Sequence, residues 1–329
     1  MAALQVLTVH LLNQLEFDGQ LVAIFKIVPG VPTFFFISGL LICTSYERTH
    51  HRGKLVFFMN RSLRIYPALW VCVAISSLFL VASGYLSTQN FTSNNFLFWV
   101  FAQTSIFQFY NPDFMRSFGV GVLNGSLWTI AIELQFYMLT PMLYFLMTRY
   151  RIWLGLIFIF SMTLNIYLRD HLDWNLLYMK LIYVSFAPWV FMFIFGFIIA
   201  FYRESSTKIL QRVGLKWLIL AYIVSMLLIG PYAANASNAI NPVSFFLLAG
   251  CLLKLSSLRL PFPKILVNFI AHHDFSYGIY LYHMPVLNFL LFFGWFSAFV
   301  NFLIVCIIVI IAATLSWFFI EKPALRYKR

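Results

Sequence analysis

Hydrophobic residues fill long runs of the chain, and short polar segments separate these runs. A helix crosses the hydrocarbon core of a bilayer with about 20 mostly apolar residues, within a range of about 17–25. The candidate spans lie at about 2–15, 31–46, 65–84, 127–147, 152–168, 184–202, 217–232, 241–255, 276–294 and 298–320. This pattern predicts an all-α, polytopic bundle of about ten transmembrane helices, with residues 1–329 as a single membrane domain.

An eleventh apolar stretch, 96–110, is ambiguous, and the basic residues decide how it is interpreted. Most of the 22 Lys and Arg residues fall in five segments, at 47–64, 148–151, 203–216, 254–275 and 321–329. If 96–110 does not cross the membrane, all five segments lie on one side, which the positive-inside rule makes cytoplasmic. We therefore expect both termini in the cytoplasm and a re-entrant or interfacial position for 96–110.

Composition supports the membrane assignment and removes other classes of protein. Hydrophobic residues make up 62% of the chain and charged residues only 10%, whereas soluble domains carry about 25% charged residues. A soluble enzyme, a disordered protein and a coiled coil are therefore excluded. The net charge of +12 is spread over several short loops without one basic face, so no nucleic-acid partner is expected. The four cysteines are scattered within apolar runs, which favours core thiols over metal ligands, and no metal site is expected.

His10 and Glu133 are ionisable residues inside predicted spans, where each costs at least ~2.5–3.5 kcal/mol at the helix centre. His10 lies midway along the first span. Its functional interpretation is a general base or nucleophile in a cavity, and the alternative is a hydrogen bond that joins two helices. Glu133 could orient a catalytic imidazole or hold an acceptor hydroxyl, and the alternative is packing against a Tyr or Arg. The insertion cost favours function in both cases.

Arg61 and Arg64, at the cytoplasmic mouth of the third predicted span, share one helix face at i, i+3. Paired arginines of this kind bind phosphates, although ordinary positive-inside anchors would have the same positions. Tyr277, Tyr280 and His283 also follow one helix face. Such a stripe is typical of helix packing, and the histidine makes a substrate wall an equal alternative.

Six segments, in order along the chain, resemble one family. They are His10, GVPTFFFISGLLI at 30–42, FFMNRSLRIYPALW at 57–70, SLWTIAIELQFYMLTP at 126–141, FSYGIYLYHMPV at 275–286 and FFIEKPALR at 318–326. Together they are similar to the integral-membrane acyltransferases of the acyltransferase 3 group, which are multi-pass bacterial proteins that O-acylate surface carbohydrates. The resemblance implies a protein of the bacterial inner (cytoplasmic) membrane, surrounded by lipid.

The resemblance also implies a reaction and roles for particular residues. The donor would be an acyl-CoA, usually acetyl-CoA, that approaches from the cytoplasm. The acceptor would be a hydroxyl of an envelope glycan, such as lipopolysaccharide O-antigen or exopolysaccharide, or of a lipid-linked sugar. His10 would be the catalytic histidine, as a base or as a transient acyl carrier, with Glu133 near the acceptor and Arg61 and Arg64 on the donor phosphates. Three further residues are expected to contact substrate, namely Trp128, Tyr280 and His283.

Two departures from the family pattern stand out. Family members usually carry a basic residue about eleven positions before the histidine, a position that would fall before Met1. The first span is also short, with about 14 apolar residues before Gln14 and Glu16. We expect a start assigned too late, or a fragment. Leu134 replaces a second Glu that many members have, so only Glu133 is carried over.

A different class of function uses the same intramembrane residues. A transporter or exporter of a glycan or small metabolite could employ His10, Glu133 and His283 as a proton relay. The two classes differ at Arg61 and Arg64, because a transporter should be indifferent to CoA.

Overall fold

The computed structural model describes residues 2–15, 17, 19–88, 92–229, 238, 240–258, 263, 268–269, 272–294 and 298–329. Regular structure within these residues is helical, and none of them forms a strand. The predicted cytoplasmic segment 254–275 lies partly outside them. The all-α class expected from the hydrophobic pattern is confirmed.

The α-helices of the described residues are numbered here in chain order. They are α1 Ala2–Gln14, α2 Gly19–Lys26, α3 Gly30–Thr49, α4 Lys54–Ala82, α5 Ser93–Thr104, α6 Trp128–Arg149, α7 Arg151–His171, α8 Leu177–Tyr183, α9 Val190–Phe201, α10 Arg203–Arg212, α11 Leu215–Ile229, α12 Pro242–Ser256, α13 Ser276–Phe293, α14 Ala298–Ser316 and α15 Lys322–Leu325. A π-helical segment, Trp317–Glu321, joins α14 to α15.

Five helical segments of the described residues are long and apolar enough to cross a membrane, which confirms a multi-pass membrane protein. They are Val22–Arg52, Lys54–Ala82, Gly125–Arg149, Arg151–His171 and Phe299–Leu325. A sixth arises if α9 and α10, which meet at a bend of 94°, count as one broken span.

The expected count of ten spans is not confirmed, because several predicted spans form shorter helices. The predicted span 184–202 contains only the 12 helical residues of α9, since the chain turns before Val190. Helices α11 and α12 have 15 residues each, or about 22 Å of rise. The ambiguous stretch 96–110 lies largely in α5, whose 12 residues rise about 18 Å and cannot cross a hydrocarbon core of about 30 Å.

Helix α3 is central to the bundle, because it packs on α1, α4, α6 and α9. Its closest neighbour is α9, where two glycines let the backbones meet. A Cβ atom at Gly39 would lie 2.1 Å from the carbonyl oxygen of Phe193, and one at Gly196 would lie 2.1 Å from that of Phe36. Small residues at a helix crossing are the usual means of close packing in membranes. This crossing fixes the face of α3 that borders the cavities described below.

The end of the chain is held against the start of α4. The Asn60 side chain donates to the Arg329 carbonyl oxygen at 2.7 Å and accepts from the Arg329 amide at 3.0 Å. Upstream, the π-helical segment ends at Glu321, whose side chain is buried and accepts a 3.0 Å hydrogen bond from Ser316. A π-helical turn contains one extra residue, which redirects the side chains that follow it. In this turn the carboxylate of Glu321 points into the bundle.

Candidate active site

Two cavities lie side by side within the bundle. The arginine cavity has a volume of about 250 Å³ and is bordered by Arg61, Arg64, Glu133, Tyr137 and Tyr277, among others. Its wall is formed by α1, α3, α4, α6 and α13 and by Asp274, which precedes α13. The fold therefore brings together residues that are far apart in the sequence. They are the two arginines with i, i+3 spacing and the carboxylate whose membrane insertion is costly.

The two arginines differ in their partners. Arg64 donates to Glu321 at 2.9 Å and forms a second ion pair with Asp274, and its guanidinium lies 5.5 Å from the centre of the Tyr277 ring. Arg61 donates to the Ser45 hydroxyl at 2.8 Å, and its buried Nε has no hydrogen-bond partner within the described part of the chain. The positive charge of Arg64 is therefore balanced by two carboxylates, whereas Arg61 lines the cavity without a carboxylate partner among the described residues.

Glu133 belongs to the arginine cavity. Its Oε1 accepts a 2.5 Å hydrogen bond from the Tyr137 hydroxyl and a 3.3 Å hydrogen bond from Ser38. Tyr137 is one helical turn after Glu133, so the pair forms within α6. The position of Glu133 near the acceptor stays a prediction; in the structure Glu133 and His10 border different cavities.

The second cavity, which we call the histidine cavity, has a volume of about 390 Å³ and is bordered by His10, Asn13, Ser126, Trp128 and Tyr280, among others. The Nδ1 of His10 lies 2.9 Å from the sulfur of Met284. A thioether can only accept a hydrogen bond, so this contact favours the proton on Nδ1. The Nε2 lone pair of His10 is then free to act as a base.

His283 lies behind this cavity rather than on its surface. Its side chain is completely buried, and its ring is packed edge-on against the His10 ring at 5.3 Å between centroids. His283 Nε2 is 3.0 Å from the Ser126 hydroxyl, and Nδ1 is 2.8 Å from the carbonyl oxygen of Tyr280. Of the three residues expected to contact substrate, Trp128 and Tyr280 border a cavity and His283 borders neither.

Tyr280 forms part of the wall between the cavities. Four residues border both of them, namely Val6, Gly30, Val31 and Tyr280. The Tyr280 hydroxyl donates to the carbonyl oxygen of Ser126 at 2.8 Å and shares a hydrogen bond with Thr129, and its ring stacks on Phe34 at 6.0 Å. Tyr280 therefore helps to separate a cationic compartment from one that holds a potential base.

Trp128 is held by other aromatic residues at the border of the histidine cavity. Its ring centroid is 4.8 Å from that of Tyr183 and 5.5 Å from that of Trp189. Trp189 is fully buried, and the Trp189 indole donates to the Tyr183 carbonyl at 2.7 Å. An indole fixed in this way offers a rigid apolar surface with little loss of side-chain freedom on binding.

Sequence reasoning missed several residues of the site. Ser126 and Glu321 fall inside motifs that were recognised, but neither was given a role. Asp274 immediately precedes the recognised segment 275–286, and no periodicity marks it. The described residues contain no group of three or more His, Cys, Asp or Glu side chains arranged to hold a metal ion.

Comparison with known proteins agrees with the motif pattern. Residues 2–321 match a family profile described as an acyltransferase domain, that of the acyltransferase 3 group. The chain is 32% identical over 342 residues to Nodulation protein 10 of Rhizobium leguminosarum bv. viciae. This alignment covers 99% of this chain and 91% of that protein. No solved structure matches the chain.

Shorter similarities extend to two O-acetyltransferases. The chain is 28% identical over 116 residues to the peptidoglycan O-acetyltransferase OatA of Listeria monocytogenes, covering 34% of this chain and 19% of that protein. It is 33% identical over 129 residues to O-acetyltransferase OatA of Staphylococcus aureus, and this alignment covers 37% of this chain and 21% of that protein. Each alignment spans about a fifth of the OatA protein.

Proposed function

From the premise that the chain belongs to the acyltransferase 3 family and is an O-acyltransferase, we propose that it transfers an acetyl group from acetyl-CoA to a hydroxyl of an envelope glycan. One observation carries the proposal. A cavity that contains arginines and a cavity that contains a histidine share a wall at Tyr280. Acyl transfer to a hydroxyl requires a cationic site for the donor and a base for the acceptor, a short distance apart.

The arginine cavity suits a polyanionic donor. A guanidinium forms charge-assisted hydrogen bonds with phosphate oxygens, and Arg61 borders the cavity without an ion pair to any carboxylate of the described residues. The basic segments around α3 and α4 favour a cytoplasmic position for the opening of the arginine cavity. Acetyl-CoA is available on that side of the membrane. The protein would lie in the inner membrane with both termini in the cytoplasm.

The histidine cavity suits a carbohydrate acceptor. Trp128 offers an aromatic face, and the Gln5 and Asn13 side chains border the same space with amide groups. Sugars combine apolar C–H faces with hydroxyl groups, so they match a cavity with an aromatic surface and a few polar atoms. The Listeria relative is a peptidoglycan O-acetyltransferase by name, which supports a glycan as the class of acceptor. O-antigen, exopolysaccharide and lipid-linked sugars belong to this class.

The roles of the residues follow from this arrangement. Arg61 holds donor phosphates in one cavity, and His10 Nε2 accepts the proton of the acceptor hydroxyl in the other. The hydroxyl oxygen then attacks the acyl carbonyl, a C–O bond forms, and the C–S bond of the thioester breaks. The proton held by His10 passes to the leaving thiolate, so that CoA departs as the thiol and His10 is again neutral. General base catalysis of this kind contributes about 10²–10⁴-fold in rate.

Release of CoA thiol by the purified protein in lipid nanodiscs tests the proposal. Acetyl-CoA is supplied with and without envelope glycan extracted from a strain that lacks the gene. We expect glycan-dependent thiol release that falls at least ~10²-fold in His10→Ala and is unchanged in His171→Ala, because His171 is an exposed histidine on α7.

Two results would contradict the proposal. The first is unchanged thiol release in His10→Ala. The second is glycan transport by the wild-type protein without any use of CoA, which would favour a transporter with a proton relay.

A further inference from the structure

Ser126 and His283 form a hydrogen-bonded pair whose protonation state can be assigned. The Nδ1 of His283 faces two backbone carbonyl oxygens, that of Tyr280 at 2.8 Å and that of Ile279 at 3.2 Å. A carbonyl oxygen only accepts, so Nδ1 carries a proton. The neutral ring then has its lone pair on Nε2, which lies 3.0 Å from the Ser126 hydroxyl. The serine is therefore the donor, and its proton points at a base.

The position of Ser126 is as informative as its partner. Ser126 borders the histidine cavity, whereas Thr129, one turn further along the chain, borders the arginine cavity. The hydroxyl of Tyr280, in the shared wall, bonds to both the Ser126 carbonyl and the Thr129 side chain. Ser126 therefore lies where the two compartments meet. His10, which borders the same cavity, is in ring contact with the histidine partner of this serine.

These observations match the arrangement of an activated nucleophile. Such a site places a hydroxyl within hydrogen-bond reach of an imidazole and orients that imidazole through its other nitrogen. Here backbone carbonyls orient His283. Its ring is completely buried, so the surrounding atoms hold it in place. A serine that served only to join two helices would not need to border a cavity.

We propose that Ser126 is a nucleophile that carries the acyl group between donor and acceptor, with His283 as its base. The inference rests on the proposed function and adds a covalent intermediate to it. It gives the two histidines separate roles. His283 activates the serine for reaction with the donor, and His10 activates the acceptor hydroxyl.

Each half of the reaction balances. In the first half, Ser126 Oγ attacks the thioester carbonyl and His283 Nε2 takes the serine proton. The C–S bond breaks, and His283 returns this proton to the leaving thiolate, so that CoA thiol departs and an acyl-serine ester remains. In the second half, the acceptor hydroxyl attacks the ester carbonyl while His10 takes its proton. The serine oxygen leaves as the C–O bond breaks, and a proton from the imidazolium restores the serine hydroxyl.

The test uses [¹⁴C-acetyl]-CoA and the full chain in nanodiscs, without any glycan. We expect the wild-type protein to retain acid-stable label, and peptide mass spectrometry to place one acetyl group on Ser126. Ser126→Ala and His283→Ala should not be labelled, and their glycan-dependent turnover should fall at least ~10²-fold. Ser126→Cys preserves shape and nucleophilicity and should be acetylated as a thioester.

The matched control is Ser225→Ala, which removes another buried serine, one that bonds to Ser244 and the Tyr222 carbonyl away from both cavities. It should retain the label and the turnover. Thermal melting of all variants in the same detergent separates loss of chemistry from loss of fold.

Three results would overturn the inference. They are full turnover in Ser126→Ala, a label on His10 in place of Ser126, and initial-rate kinetics that require both substrates to be bound at once. The first and second leave the proposed acetyl transfer intact. A wild-type protein that releases no CoA thiol with any glycan would instead overturn the proposed function, and this inference with it.

Discussion

Replacing Arg64 with methionine should destabilise the protein far more than any comparable change at the surface. Arg64 joins α4 to Glu321 at the end of the π-helical segment and to Asp274 before α13. Methionine fills a similar volume but removes the positive charge. The Glu321 carboxylate would then remain buried with the Ser316 hydroxyl as its remaining described hydrogen-bond partner.

The size of the effect follows from burial. The Glu321 side chain is 2% exposed and that of Arg64 is 20% exposed. Removing one partner of a buried ion pair costs about 3–5 kcal/mol, and the partial exposure of Arg64 favours the lower end of this range. Each kcal/mol shifts the Tm of a 150–250-residue protein by about 2–4 °C, and of a longer chain by less. We expect a fall in Tm of about 5 °C or more.

The assay is thermal melting in detergent, in which the loss of monodisperse protein is measured as temperature rises. Arg64→Met with Glu321→Gln should recover most of the loss, because the amide leaves no buried charge. The control is Arg169→Met, whose ion pair with Asp170 is exposed on both sides and should hardly change Tm. A wild-type Tm in Arg64→Met, or no recovery in the double variant, would refute the view that Arg64 is held mainly by carboxylates.

Three further predictions follow from the same geometry. Arg61→Ala should weaken acetyl-CoA binding about 10–100-fold by isothermal titration with little change in Tm, because it removes a charge-assisted contact; unchanged affinity would contradict a donor role. Burial and the neighbouring Arg61 and Arg64 lower the pKa of Lys328 to about 8, so this lysine loses its positive charge as pH rises through 8. The charge of Lys328 acts at Arg61 and Arg64, which border the arginine cavity, so its loss should raise the KM for acetyl-CoA above pH 8 in the wild type. Lys328→Met should abolish that rise; an identical pH profile in the variant would exclude the lysine. Gly39→Ala would place a Cβ 2.1 Å from the Phe193 carbonyl oxygen, so the yield of folded protein should collapse in size-exclusion chromatography, and a normal yield would show that the helix crossing can relax.

Local pattern was sufficient to predict the helical membrane class and several of the residues that border the two cavities, such as His10, Arg61 and Glu133. Apolar runs, the cost of burying His10 and Glu133, and the i, i+3 spacing of Arg61 and Arg64 are all properties of short segments. The number of spans was harder to predict, because length alone does not show where a long apolar run breaks. The bend of 94° at the end of α9 is one such break.

Partners that are distant in sequence explain the remaining differences. Spacing made Arg61 and Arg64 look equivalent, but Glu321 and Asp274 neutralise only Arg64. These carboxylates lie 257 and 210 residues away along the chain. The stripe of Tyr277, Tyr280 and His283 lies on one helix, α13, but the 3-10 turn Gly125–Leu127, just before α6, packs against this helix, and Ser126 covers His283. No local pattern contains that contact.

The proposed reaction transfers an acyl group from a donor in the arginine cavity to an acceptor in the histidine cavity. Mass spectrometry of the envelope glycan tests it most directly, in a strain that lacks the gene and carries either the wild-type chain or His10→Ala at equal membrane levels. The account predicts an O-acetylated glycan with the wild type and an unmodified glycan with His10→Ala. Equal acetylation in both strains, or none in either, would contradict it.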